Sequence, residues 1–176
     1  SDGVNEVNQA ITVAINNLND ETPQFVDITA SDSRITKLSD TVAESISKCE
    51  GDLYLDGLTE LSDAAAESLS KCKGALCLNG LTELSDAAAE SFSKHKGVLW
   101  LSDLRELSDA AAESLSKHKE ALDLGGLTEL SDAAARSLSR LEGDDLYLRG
   151  LTELSDAAAE SLSKYIGDLW LYGLTE

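Results

Sequence analysis

Apolar and polar residues alternate over short stretches that recur along most of the chain. A Leu-x-Leu triplet first occurs at Leu53, Tyr54 and Leu55 and returns every 23 residues, with one step of 24, at residues 76–78, 99–101, 122–124, 146–148 and 169–171. Successive side chains of a strand point to opposite faces, so the two leucines of a triplet share one face. The pattern therefore predicts one short strand with a single buried face in each repeat.

Between the triplets, the spacing of apolar residues changes from two to three and four. Residues 62–71 place three apolar side chains on one helical face, and closely similar stretches recur in the later repeats. Ser62 or Asp63 is the expected N-cap, because either side chain accepts a hydrogen bond from a free amide of the first turn. Gly74 is expected to end the helix in the left-handed conformation. Each strand is thus predicted to be followed by a helix, whose buried residues in this repeat are Ala65, Ala66 and Leu69.

The repeated pattern Leu-x-Leu-x-Gly-Leu-Thr-x-Leu-Ser-Asp-Ala-Ala-Ala-x-Ser-Leu resembles the leucine-rich repeats, in particular the bacterial variants with an alanine-rich helix. The resemblance covers approximately residues 25–176. It implies an α/β solenoid with a parallel sheet on one face and helices on the other. Leu58 and its equivalents replace the usual asparagine or cysteine ladder. The turn backbone must therefore find other partners, for which Thr59 and its equivalents are candidates.

Both ends of the chain depart from the repeat. Residues 1–30 are predicted to form an N-terminal cap, with an amphipathic helix over residues 3–19 and a first strand at residues 25–28. Residues 31–176 are predicted to form a single repeat domain, which opens with a diverged copy of the repeat helix at residues 38–46. The sequence ends on a strand and a turn, so we expect a solenoid truncated at its C-terminus. We also expect a weak end-on homodimer through this edge, because its backbone groups are unpaired.

The charge balance narrows the range of partners. The chain has 33 acidic and 14 basic residues, a net charge of −19, and no run of clustered Lys and Arg. Nucleic-acid binders need a basic face to replace phosphate counterions, so a nucleic-acid partner is not expected. No apolar run approaches the roughly 20 residues of a membrane span, so membrane insertion is not expected either. The expected partner is a protein with a neutral or basic surface.

One column of repeat-equivalent residues has the composition of a zinc site. Cys49, Cys72, His95 and His118 occupy equivalent positions near successive helix ends, followed by Leu141 and Tyr165. Equivalent residues form a line along the solenoid, whereas zinc needs ligands that converge on one point. We therefore expect packing at the helix ends, with no metal and no cofactor, and cysteines that remain thiols. A Cys49–Cys72 disulfide would require the two α-carbons to approach within about 7 Å.

Nothing in the sequence indicates catalysis. The abundant serines and acids, such as Ser62, Asp63 and Glu67, recur in nearly every repeat, as structural residues do. Catalytic groups would instead be unique to one place and would converge in a pocket. The chain also lacks a phosphate-binding glycine loop and a calcium-loop spacing. We therefore expect no catalytic residues and a protein that is not an enzyme.

The variable positions lie on the outer face of the predicted sheet. The residues before, between and after the two leucines of each triplet differ from repeat to repeat, and they include both tryptophans and three of the four tyrosines. Exposed aromatic residues are typical of binding surfaces, so protein recognition is the leading hypothesis. A structural or spacer module is the alternative, with the aromatics serving as strand formers; a carbohydrate ligand is a variant of the first. The candidate partner-binding residues are Tyr54, Trp100, Asp123, Tyr147, Arg149, Trp170 and Tyr172.

Overall fold

The computed structural model describes residues 28–29, 36–48 and 51–174. The predicted N-terminal helix over residues 3–19 lies outside the described residues, as does most of the predicted cap. Of the strand predicted at residues 25–28, only the final residue is described. The prediction of a cap therefore stays a prediction.

The described strands form one all-parallel sheet in which every strand pairs with its neighbours in the sequence. Residues in equivalent repeat positions lie side by side, because the pairing register matches Leu53 to Leu76 and Leu76 to Leu99. This in-register stacking converts each repeat position into a column along the solenoid. The strands are β1 (Ile28–Thr29), β2 (Leu53–Tyr54), β3 (Leu76–Cys77), β4 (Leu99–Trp100), β5 (Leu122–Asp123), β6 (Asp145–Tyr147) and β7 (Asp168–Trp170).

A helix of seven residues follows each of the first six strands within the described residues. The diverged copy predicted at residues 38–46 is confirmed as the first of these helices. Each helix packs against the next one, so the helices form a second layer opposite the sheet. The fold is therefore the predicted α/β solenoid. The helices are α1 (Asp40–Ile46), α2 (Asp63–Leu69), α3 (Asp86–Phe92), α4 (Asp109–Leu115), α5 (Asp132–Leu138) and α6 (Asp156–Leu162).

The core lies between the two layers and consists of the predicted apolar columns. The strand leucines Leu53 and Leu55 are buried, as are Ala65, Ala66 and Leu69 of α2. The two buried alanines of α2 keep this helix close to the sheet, because their side chains occupy little space. Stacking is what removes these faces from water, since no single repeat could bury its own apolar face.

The end of each helix differs from the prediction. Helix α2 ends at Leu69 with Ser70 as its C-cap in the right-handed conformation, where the amide of Ser70 donates to the carbonyl of Ala66. Gly74 therefore does not cap the helix, and the prediction of a left-handed glycine cap was wrong. Gly74 instead lies close to the preceding repeat: a β-carbon there would be 2.5 Å from the carbonyl oxygen of Gly51.

The turn between strand and helix is satisfied mainly by the main chain. The amide of Leu58 donates to the carbonyl of Leu55 at 3.0 Å. The amide of Thr59 donates to the carbonyl of Thr36 in the preceding repeat at 3.1 Å, while the hydroxyl of Thr59 is 3.5 Å from the same oxygen. These main-chain bonds satisfy part of the turn, and the side chain of Asn79 adds a link between repeats by donating to Asp56 and accepting from the amide of Ser102.

A ladder of Ser and Asp side chains connects the helix N-termini. Ser62 caps α2 by accepting a hydrogen bond from the amide of Ala65, and its hydroxyl donates to the carboxylate of Asp40 in the preceding repeat at 2.5 Å. Equivalent Ser–Asp bonds recur in each later repeat. Of the two predicted caps, serine is therefore the one used, and the aspartate after it links its own repeat to the next.

Candidate binding surface on the sheet

The surface of the sheet opposite the helices is here called the sheet face. It consists of three columns per repeat, which stand before, between and after the two strand leucines. The middle column is set directly by the pairing register, which aligns Tyr54, Cys77, Trp100, Asp123, Tyr147 and Trp170 across β2 to β7. All seven candidate partner-binding residues lie on the sheet face.

Large and small side chains alternate in the middle column from Tyr54 to Tyr147. Trp100 is 37% exposed, whereas Cys77 and Asp123 on either side of it are 0% and 6% exposed. Cys77 does not belong to the core cluster between the layers. The larger neighbours on the adjacent strands therefore screen these two residues from solvent. In the third column, Tyr172 is the most accessible aromatic side chain of the sheet face, at 69%.

The aromatic side chains of the last two strands pack against one another. The rings of Tyr147 and Trp170 stack with centroids 5.7 Å apart and planes 10° apart. Tyr172 continues the row at 5.8 Å from Trp170, with its ring tilted by 52°. The indole nitrogen of Trp170 donates to the carboxylate of Asp145 at 3.0 Å. Stacking and this bond fix the orientation of Trp170, so the three rings form a preorganised aromatic row.

Arg149 occupies the other end of this aromatic row. Its guanidinium forms an ion pair with the carboxylate of Asp123 and lies 5.0 Å from the ring centroid of Tyr147. The second carboxylate oxygen of the pair accepts from the amide of Gly125 at 2.8 Å. Asp123 therefore acts on this surface by holding Arg149, because its own side chain is buried under its neighbours.

The sheet face is electronegative. From β2 to β7, its three columns contain five carboxylates, of Asp52, Asp56, Asp123, Asp145 and Asp168, and one guanidinium, of Arg149. The pKa of the Cys77 thiol is raised to about 12, mainly by burial and then by the nearby charges of Asp56 and Asp52. Burial also raises the pKa of Tyr147; among its neighbours Asp145, Asp123 and Asp168 raise this pKa further, whereas Arg149 lowers it.

Asp145 and Asp168 were not among the residues singled out from the sequence. The two are paired in register on β6 and β7, so their carboxylates project side by side from the same face. Like charges directly opposite each other destabilise a sheet unless a cation or hydrogen bonds compensate them. The signal in the sequence was the column before the strand leucine, which changes from Ala121 to Asp in the last two repeats.

The basic residues are concentrated at another edge of the molecule. Nine of the 14 Lys and Arg side chains follow a helix end within four residues, among them Lys71, Lys73, Lys94, Lys96 and Arg140. Pairs such as Lys71–Glu67, at 3.2 Å, are exposed and contribute little stability. The bases that follow successive helices thus form a row along the helix ends, because repeat-equivalent residues lie side by side.

The Cys/His column forms part of the packing at the same edge. The rings of His95 and His118 are stacked with centroids 6.2 Å apart, and both side chains are buried. Burial, followed by the neighbouring His95, lowers the pKa of His118 to about 4. Burial likewise lowers the pKa of His95. Cys49, the predicted start of the column and one half of the Cys49–Cys72 pair, lies outside the described residues.

The part of the chain that the structure describes contains no group of three or more His, Cys, Asp or Glu side chains placed to hold a metal ion. Within the same residues, no helix has the length and apolar character needed to cross a bilayer. A groove between α2 and α3 is lined by the repeated ion pairs, including Glu67 with Lys71 and Glu90 with Lys94.

Comparison with protein-family models, with curated protein sequences and with solved structures finds no match to this chain. The class of protein is therefore defined by the fold itself. Helix–strand units of about 23 residues, stacked in register, make this chain an α/β repeat protein.

Proposed function

We propose that this chain is a leucine-rich-repeat variant of the bacterial type and that its sheet face recognises another protein. The observation that carries this proposal is the distribution of aromatic residues: both tryptophans and three of the four tyrosines lie on the sheet face. Aromatic side chains provide a large contact area at a low cost in conformational entropy, and they dominate the binding energy of many interfaces.

The contrast between the two layers supports this proposal. The helices repeat nearly the same residues, whereas the sheet face differs at each strand. A surface that only had to cover the sheet could repeat one residue as the helices do. No catalytic role is part of the proposal, because the serines and acids that could act as catalysts recur from repeat to repeat as caps and surface ion pairs.

The test is affinity capture from an extract of the cells that carry the gene. The baits are the wild type and a Trp100→Ala/Tyr172→Ala variant, which removes two exposed side chains of the sheet face. Tyr165→Leu is the matched control: Tyr165 is the one tyrosine away from the sheet face, and Leu141 occupies its equivalent position. Circular dichroism first establishes that the three proteins fold equally.

We expect a protein that is retained by the wild type and the control and lost from the sheet-face variant. The purified partner should then bind the wild type directly and the variant at least about tenfold more weakly, as hot-spot aromatics do. Equal capture by all three baits would reject the proposal and favour a spacer module, in which the aromatic row stabilises the sheet.

A further inference from the structure

We propose that the segment recognised by the sheet face is cationic: an extended peptide stretch rich in Lys or Arg that lies across β5 to β7. This inference rests on the proposed function and specifies the chemistry of its partner. The aromatic row of Tyr147, Trp170 and Tyr172 supplies the contact area, and Asp145 and Asp168 supply the charge that selects the partner.

Charge complementarity favours a basic partner at this surface. Five carboxylates and one guanidinium lie on the sheet face between β2 and β7, and that guanidinium is already paired with Asp123. No ion pair joins Asp145 or Asp168 to a base of the described residues, although the two carboxylates project side by side. A cation placed between them would relieve their repulsion and would be attracted by both.

The chain itself shows how a guanidinium is accommodated on this face. Arg149 lies between a carboxylate, that of Asp123, and the face of an aromatic ring, that of Tyr147. One strand further on, the carboxylates of Asp145 and Asp168 lie beside Trp170, but Tyr172 stands where the previous repeat has arginine. A Lys or Arg of the partner bound by Asp145 and Asp168 would combine an ion pair with cation–π attraction to Trp170, whose indole nitrogen already donates to Asp145.

The rest of the described surface makes the sheet face the better place for such a segment. The row of Lys and Arg along the helix ends repels a basic peptide. The exposed acids of the turns before the helices, such as Glu83 and Glu129, have no aromatic neighbours in their column. These acids attract cations only through long-range charge, which salt screens. They therefore provide the matched control for an effect that is specific to the sheet face.

A random peptide library displayed on phage tests the inference without a bias in charge. Peptides are selected on the wild type and depleted on the Trp100→Ala/Tyr172→Ala variant, so that only binders of the sheet face remain. We expect the remaining pool to be enriched in Lys and Arg. A remaining pool of neutral or acidic peptides would overturn this inference and leave the proposed function standing. A pool that does not depend on the sheet-face residues would overturn both.

One synthetic peptide from the pool is then titrated while the intrinsic fluorescence of Trp100 and Trp170 is recorded. Both tryptophans of the chain lie on the sheet face, so the signal reports binding there. Asp145→Asn/Asp168→Asn should weaken binding about tenfold, whereas Glu83→Gln/Glu129→Gln, with the same loss of charge, should weaken it less than about threefold. Equal losses in the two variants would mean unspecific attraction to an acidic protein and would overturn the inference.

Discussion

Equivalent positions of this solenoid hold side chains of different polarity, and the column at the helix ends contains thiol, imidazole, aliphatic and phenol groups. Cys72, His95, His118, Leu141 and Tyr165 occupy one environment, in which the described polar members are partly or fully buried. For the two histidines, burial favours the neutral imidazole. The side chains of this column pack in a buried environment. An ionisable side chain in such an environment makes the stability of the fold depend on pH.

The pH dependence of unfolding should change when His118 is replaced by leucine. The pKa of His118 is about 4 in the folded chain, compared with 6.5 when unperturbed, so the unfolded state binds the proton more readily. The contribution of His118 to the free energy of unfolding is therefore fully present above pH 6.5 and is lost as the pH falls towards 4. By linkage, this loss amounts to about 3 kcal/mol for His118.

Urea unfolding between pH 7 and pH 4.5 measures this effect. His118→Leu copies the residue that the next repeat has at Leu141, so we expect a folded variant whose stability falls less steeply with decreasing pH. The carboxylates titrate in both proteins, and the comparison cancels their contribution. An identical slope for wild type and variant would show that His118 is not held neutral by its surroundings.

At the scale of elements, the Ser–Asp ladder joins the N-termini of successive helices, so it exists only when repeats are stacked. Ser108 accepts from the amide of Ala111 at 2.9 Å, which caps α4, and it donates to Asp86 of α3 at 2.5 Å. The first bond is local and could be predicted from the sequence. The second bond requires the preceding helix to stack in register with α4, so it contributes to coupling between repeats.

Two substitutions of Ser108 should separate these contributions. Ser108→Ala loses both bonds, and we expect the free energy of unfolding to fall by about 1–2 kcal/mol. Ser108→Asp keeps a good capping acceptor but places it against the carboxylate of Asp86, so this variant should also be destabilised. Ser114→Ala in the same helix is the control and should cost nothing, since alanine favours helices. Wild-type stability of Ser108→Asp in urea melts would show that the ladder contributes nothing.

The same distinction explains how much of this molecule could be predicted from its sequence. The strands and helices follow from the leucine and alanine columns, because those signals lie within one repeat. The screening of Cys77 and Asp123, the stacking of Tyr147 on Trp170 and the row of lysines depend on distances between repeats. The wrong prediction for Gly74 has a similar cause. A glycine is required there because the backbone of the preceding repeat lies close to it, and not because its own helix ends there.

At the scale of the whole molecule, the division of charge separates three surfaces. The sheet face is acidic and aromatic, the edge of helix ends carries most of the bases, and the turns before the helices carry exposed acids. A net charge of −19 keeps copies of the chain apart at low ionic strength. We therefore expect association between copies to depend on apolar contact and to become stronger when salt screens the repulsion.

The last described repeat offers such an apolar contact, and we expect weak end-on association there. Ala159 of α6 is exposed, whereas the equivalent Ala135 of α5 is fully buried by the helix that follows it. Leu169 and Leu171 are likewise only partly buried in this repeat. A second copy could cover these side chains, although the small area favours a weak contact.

Sedimentation equilibrium over a range of protein concentrations and at two ionic strengths tests this association. Ala159→Lys should weaken the dimer, although it lowers the net negative charge and so reduces repulsion over long distances. Ala157→Lys is the control, because Ala157 lies on the outer side of the same helix and the equivalent Ala64 and Ala87 are also exposed. A larger dimer fraction at high salt, abolished only by Ala159→Lys, would locate the contact at this end. A wild type that remains monomeric at every concentration and at both ionic strengths would contradict the expectation, and equal effects of the two lysines would place the contact elsewhere.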